Sequence, residues 1–106
     1  MKMSLARGSG GDTISTGHGC DSTTVTDQCS PSVFVNGKGV VRLGDLTVIH
    51  NVPAVDPPCI PHAVPMTTFE NGYSYTVFAN GLNIARKGDK YSGEELITGS
   101  PNVNCG

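Results

Sequence analysis

Two stretches of this chain are copies of one another, and that constrains its fold more than any other feature. Ser32-Val33-Phe34-Val35-Asn36-Gly37-Lys38-Gly39-Val40-Val41-Arg42-Leu43-Gly44-Asp45 recurs without a gap, offset by 44 residues, as Thr76-Val77-Phe78-Ala79-Asn80-Gly81-Leu82-Asn83-Ile84-Ala85-Arg86-Lys87-Gly88-Asp89. Each copy predicts a strand with alternate side chains inward (Val33 and Val35; Val77 and Ala79), a tight turn at Asn-Gly, where positive φ is tolerated, and a second strand. Each unit is thus a β-hairpin that closes on Arg-x-Gly-Asp.

A third copy is cut in two. Ser100-Pro101-Asn102-Val103-Asn104-Cys105-Gly106 repeats the opening of the unit, and Leu5-Ala6-Arg7 with Gly11-Asp12 supplies its ending. The two ends of the chain are therefore expected to meet, making a pseudo-threefold body in which each strand pair buries its inner face against the other two. The predicted layout is a single domain over residues 1–106. Its units lie at about 30–50, 74–94, and 99–106 joined to 4–18, with an insertion loop at about 51–70.

Composition agrees with an all-β chain of few or no helices. There are 14 Gly and 7 Pro, no Trp, and only 37% hydrophobic residues, so turns dominate and the core is thin. A net charge of -2 with no basic run leaves no footprint for nucleic acid. No apolar stretch approaches the roughly 18 residues of a spanning helix, so stable membrane insertion is not expected. Met1 to Arg7 is followed by Gly8-Ser9-Gly10-Gly11 rather than the apolar core of a secretory signal, which predicts synthesis in the cytoplasm without a signal peptide.

All three histidines fall between the hairpins. His18 lies six residues past Asp12 and His50 five past Asp45, so two units send an imidazole to a similar place, while His62 comes from the insertion. After Asp89 the third unit reads Lys90-Tyr91-Ser92-Gly93-Glu94, with neither histidine nor cysteine. Imidazole and thiolate in a tetrahedral set suit a borderline metal such as zinc or iron. Cys59-x-x-His62 could present two ligands from one tight loop, and Gly19 could bend Cys20 back beside His18, so either cysteine can complete three histidines. A closed site of this kind ties loops together and keeps no open position for water. Pairing of the four cysteines as disulfides is the competing reading; it requires an oxidising compartment.

The remaining features read as structural. Arg7, Arg42 and Arg86 with Asp12, Asp45 and Asp89 suggest charge pairs or turn-fixing hydrogen bonds within each unit. Cys105 matches the inward positions of Val35 and Ala79, and Cys29 has no evident role. Adjacent Glu94 and Glu95 in an extended segment face opposite ways, which argues against a carboxylate pair. Gly8 to Gly11 opens no helix, and no Gly-x-Ser-x-Gly is present.

Taken together, Ser-Pro-x-Val-Phe-Val-Asn-Gly, Arg-x-Gly-Asp, Ser15-Thr16-Gly17-His18-Gly19-Cys20, Gly44-Asp45-Leu46-Thr47-Val48-Ile49-His50 and Gly99-Ser100-Pro101-Asn102-Val103 resemble the PAAR-repeat family over Leu5 to Gly106. The eponymous tetrapeptide is degenerate, as Ser4-Leu5-Ala6-Arg7, Gly39-Val40-Val41-Arg42 and Asn83-Ile84-Ala85-Arg86. The resemblance implies a compact cone of three hairpin repeats with metal-tied loops at its apex. Its base would cap the trimeric β-helical spike of a contractile phage tail or type VI secretion system, one copy per trimer. It also implies one structural zinc or iron ion held by three histidines and a cysteine, which carries over onto His18, His50 and His62. The family's cysteine follows the last Gly-Asp, where this chain has Ser92-Gly93, so Cys59 is the expected fourth ligand, with Cys20 as the alternative and water a lesser one.

The function expected is mechanical: a rigid tip that pierces an envelope, touching it only transiently, and not an enzyme. A sequence that stops almost at its last repeat predicts a tip without a toxin extension, with a slight preference for a phage tail. The alternative is a small zinc-dependent hydrolase of the cell envelope, with His18, His50 and His62 around an open metal position.

Overall fold

The computed structural model describes residues 3–55, 58–67, 74 and 77–105, apart from the side chains of Met3 and Cys105. The inward placement expected for Cys105 therefore lies outside the described residues, as do Pro57 and the end of the expected insertion at 68–70. Twelve short strands and no helix make up the described chain.

Three hairpins form one end of the molecule. They are β4 (Phe34–Val35) with β5 (Lys38–Gly39), β8 (Phe78–Ala79) with β9 (Leu82–Asn83), and β12 (Asn104–Cys105) with β1 (Met3–Ser4). Their registers are equivalent: Val35 pairs with Lys38, Ala79 with Leu82, and Cys105 with Met3. The third hairpin is thus the same unit as the others, with its turn cut where the chain begins and ends. Asn36 and Asn80 supply the positive φ of the uncut turns, at 53° and 54°.

Beyond the hairpins the three copies close on one another through the backbone. Ala6 N–H donates to Ala85 O, Ala85 N–H to Val41 O, and Val41 N–H to Ala6 O, at 3.0, 2.9 and 3.1 Å. Flanking bridges cycle the same way, Arg7 with Val40, Arg42 with Ile84, and Arg86 with Leu5. The ring joins segments far apart in sequence, so no unit can satisfy its own backbone groups alone.

Side chains stack in two layers about this ring. Leu5, Val35, Val40, Ala79 and Ile84 form one; Ala6, Ile14, Val41, Met66, Ala85, Tyr91 and Leu96 form the other. Small residues at Ala6, Val41 and Ala85 let the three backbones approach. The hairpin strands are shorter than the sequence suggests. Val35 and Ala79 face in and Val77 packs partly against the core, but Val33 is 40% exposed, just before its strand begins, with its N–H donated to Ser30 Oγ at 2.9 Å.

Each unit then turns through its Arg-x-Gly-Asp segment in the same way. Asp12, Asp45 and Asp89 each take the guanidinium of Arg7, Arg42 or Arg86 on both carboxylate oxygens, at 2.9 to 3.2 Å, and each accepts that arginine's own backbone N–H at 2.6 to 2.8 Å. The clasp is bidentate and its carboxylates are buried, so the pairs expected from the sequence fix the turns.

Past the clasps, each copy raises a second hairpin toward the other end: β2 (Thr13–Ser15) with β3 (Thr23–Val25), β6 (His50–Pro53) with β7 (Cys59–His62), and β10 (Lys90–Tyr91) with β11 (Glu94–Leu96). Strands β10, β11, β2 and β3 join as one sheet, while β6 and β7 stand apart as a longer hairpin. This second tier carries the polar cluster.

Candidate metal centre

His18 sits in the β2–β3 connection, His50 opens β6, His62 ends β7, and Glu94 opens β11. The register of β6 and β7 sets His50 directly opposite His62. Glu94 pairs with Tyr91 across the Ser92-Gly93 turn, which needs positive φ at both positions, 47° and 93°. One atom from each of these four residues lies within 4.8 Å of the others.

The approach is close. Glu94 Oε2 is 3.1 Å from His18 Nε2, 3.1 Å from His50 Nε2 and 3.0 Å from His62 Nε2. His62 Nε2 is also 2.7 Å from His50 Nε2 and 3.3 Å from His18 Nε2. The His18 and His50 rings lie nearly parallel, 9° apart, with His62 edge-on to both. Glu94 is 3% exposed and His50 5%.

The hydrogen-bond partners of the outer nitrogens define what faces the centre. His18 Nδ1 lies 2.9 Å from Gly19 O and His50 Nδ1 2.8 Å from Val48 O. A carbonyl only accepts, so each Nδ1 donates to it and Nε2 is the nitrogen that each ring turns to the centre. Three ring nitrogens thus crowd around one carboxylate. Glu94 Oε1, buried and 3.0 Å from His50 Nε2, has no hydrogen bond of acceptable geometry. Such a set needs a cation among its members, whether protons on the imidazoles or a metal ion, and three imidazoles with a carboxylate suit a borderline divalent metal. His18, His50, His62 and Glu94 are the residues that fit one.

The cysteines stand elsewhere. Cys59 and Cys20 were the expected candidates for a fourth ligand, but the structure joins their sulfurs in a disulfide across a sequence separation of 39 residues. The reason is local. Residues 59–62 form a strand rather than a tight loop, and positions three apart on a strand point to opposite faces. His62 therefore turns to the cluster and Cys59 away from it. Cys20, held at φ 69°, turns out of the His18 loop to meet it. Cys29, in contrast, is a free thiol of intermediate exposure.

Glu94 was passed over, although the repeat pointed to it. It lies five residues past Asp89, the same offset as His50 from Asp45. In the third unit a carboxylate stands where the first two units have a histidine, and a pattern of histidine and cysteine alone does not reveal it. The expectation that Glu94 and Glu95 face opposite ways does hold, with Glu95 paired outward to Lys90 Nζ at 2.9 Å.

Asp21 braces the cluster from outside. It accepts hydrogen bonds from Asn51 N, at 2.7 Å, and Asn51 Nδ2, tying the His18 loop to β6. The backbone bond from Asn51 chiefly holds its carboxyl below the usual aspartate value. Tyr91 lies fully buried beneath, its hydroxyl pushed far up by burial and then by the clasp carboxylates of Asp45 and Asp12.

No curated protein matches the chain. A family model does, the PAAR motif, over residues 11–94, a span that holds both tandem hairpins, all three histidines and Glu94. The match covers most of the chain, so the protein belongs to the PAAR-motif family.

Proposed function

We propose that this protein is a spike tip: a pre-formed point that caps the trimeric β-helical spike of a contractile phage tail or type VI secretion apparatus and leads it through a cell envelope. Proteins with this motif are associated with the spikes of injection systems. The observation that carries the reading is the cyclic backbone ring of Ala6, Val41 and Ala85, by which a single chain presents threefold symmetry to a threefold partner. One copy per trimer satisfies both symmetries. Phe34 and Phe78, 60% and 55% exposed at matching places on two base hairpins, supply apolar surface for that contact.

The apex would be pinned by one structural zinc or iron ion on His18, His50, His62 and Glu94. A structural ion binds loops together and adds its binding free energy to folding. Glu94 closes the fourth side of the cluster, which favours a structural centre over a hydrolytic one, where that position belongs to water. The role requires rigidity and no turnover.

The test is reconstitution with a candidate spike trimer. The expected result is one chain per trimer, loss of binding in Phe34→Asp/Phe78→Asp with unchanged folding, and a melting temperature that falls by more than about 10 °C on chelation. A chain that binds no spike, or whose melting is indifferent to chelation, contradicts the corresponding half of the proposal.

A further inference from the structure

We infer that Glu94 offers both of its carboxylate oxygens to the ion, making a closed centre of three nitrogens and two oxygens with no sulfur, which shifts preference from the softer ions toward manganese(II) and the less thiophilic borderline ions iron(II) and cobalt(II). The inference rests on the metal-pinned reading above and concerns the kind of ion that centre selects.

Three observations carry it. Oε2 lies nearly equidistant from three imidazole nitrogens, at 3.0 to 3.1 Å, so the carboxylate caps the triangle that they form rather than pairing with one ring. Oε1 is directed into the same space, 3.0 Å from His50 Nε2, and is buried without a hydrogen bond. A buried carboxylate oxygen left unpartnered costs free energy, and an ion between the rings and the carboxylate satisfies both oxygens together. Finally, the sulfurs of Cys20 and Cys59 are bonded to one another, so neither is available as a thiolate ligand.

The chemical consequence follows from ligand hardness. Thiolate favours soft and borderline ions, whereas carboxylate oxygen favours harder ones. A carboxylate using both oxygens also raises the donor count above the four of a tetrahedral structural zinc site. The exchange of thiolate for carboxylate leaves the ligand charge unchanged, so selectivity rather than total affinity is what changes.

The experiment loads the full chain with cobalt(II) and reads stoichiometry, visible absorption and the metal's X-ray absorption spectrum. Manganese(II) and cadmium(II) then compete for the same protein and for Glu94→Cys and Glu94→Gln. The expected result is one cobalt per chain, five nitrogen or oxygen neighbours, weak visible bands and no thiolate charge-transfer band. Glu94→Cys should shift the cadmium-to-manganese preference toward cadmium by at least about 100-fold. Glu94→Gln, which keeps the shape but offers one neutral oxygen, should lose a neighbour and weaken binding of both ions. One cobalt with a sulfur neighbour, or with only four neighbours, overturns this inference and leaves the metal pin standing. Failure to bind any ion overturns the pin itself. The wild-type spectrum decides the coordination question if either variant fails to fold.

Discussion

The ring at Ala6, Val41 and Ala85 and the cluster at His18, His50, His62 and Glu94 come from successive parts of the same repeat, yet the repeat is obeyed in one and departed from in the other. At the ring, three equivalent residues make three equivalent hydrogen bonds. In the cluster, the equivalent offsets hold His18, His50 and Glu94, and a fourth side chain, His62, enters from the longer β6–β7 hairpin. The difference reflects what each end must satisfy. Backbone groups are the same in every residue and can be matched by exact repetition, while the ion proposed for the cluster would need a set of lone pairs that different side chains can supply. Covalent reinforcement is also found only at the unsymmetrical end among the described residues, as the Cys20–Cys59 bond between the His18 loop and the β6–β7 hairpin.

The sharpest way to break the symmetrical end is at one clasp. Asp12 accepts bonds from Arg7 N, Nε and the terminal guanidinium nitrogen Nη2, and also from Thr98 Oγ1 at 2.8 Å, so it joins the start of the chain to the segment before the last hairpin. Asp12→Ala leaves a guanidinium and a hydroxyl without their acceptor, and a broken buried pair of this kind costs about 3–5 kcal/mol. Denaturant unfolding should show that loss as one cooperative transition. A loss confined to the terminal hairpin, with the other two still protected from hydrogen exchange, would mean that the ring is not a cooperative unit.

The next effect belongs to the other end. Cys20→Ser/Cys59→Ser removes a cross-link that closes a long loop, for which chain entropy gives about 2–4 kcal/mol. The loss should appear chiefly as weaker metal binding and faster amide exchange in residues 16–22 and 50–62, with Ala6, Val41 and Ala85 unchanged. Equal effects at ring and cluster would show that the two ends are energetically one.

This division also explains what could be read before folding. The hairpins were legible because their signals are local: Asn-Gly for the turn, a gapless repeat for the two tandem copies, and a split third copy that predicted the chain ends would meet, as Cys105 and Met3 do. The three histidines were legible as a converging set because His18 and His50 follow their clasp aspartates by similar distances, six and five residues. The fourth member was not, since the choice between Cys59 and Glu94 turns on whether residues 59–62 are loop or strand. The Cys59-x-x-His62 spacing within the insertion suggested a tight loop, yet residues 59–62 pair with His50–Pro53 as a strand.

The smallest expected effect, and the one that distinguishes the ends without any disruption, is in the response to acid. Burial raises the carboxyl of Asp89 above the usual aspartate value of 3.8, and the bonds from Arg86 offset this only in part. The folded state therefore binds a proton at a higher pH than the unfolded state, so this group's contribution becomes less favourable as pH rises through that window and is regained on acidification toward 3.8. Asp21 has the opposite sign. Its carboxyl is held below 3.8 by Asn51, so its contribution is fully present above that value and lost as pH falls below it. Asp21→Asn should thus flatten the loss of stability below about pH 4 without altering the response above it. Asp21 is only partly buried and its charge is open to screening by solvent, so the comparison requires melting curves of wild type and variant in closely spaced buffers. A variant that changes only the higher-pH limb would contradict the assignment of that window to the clasp.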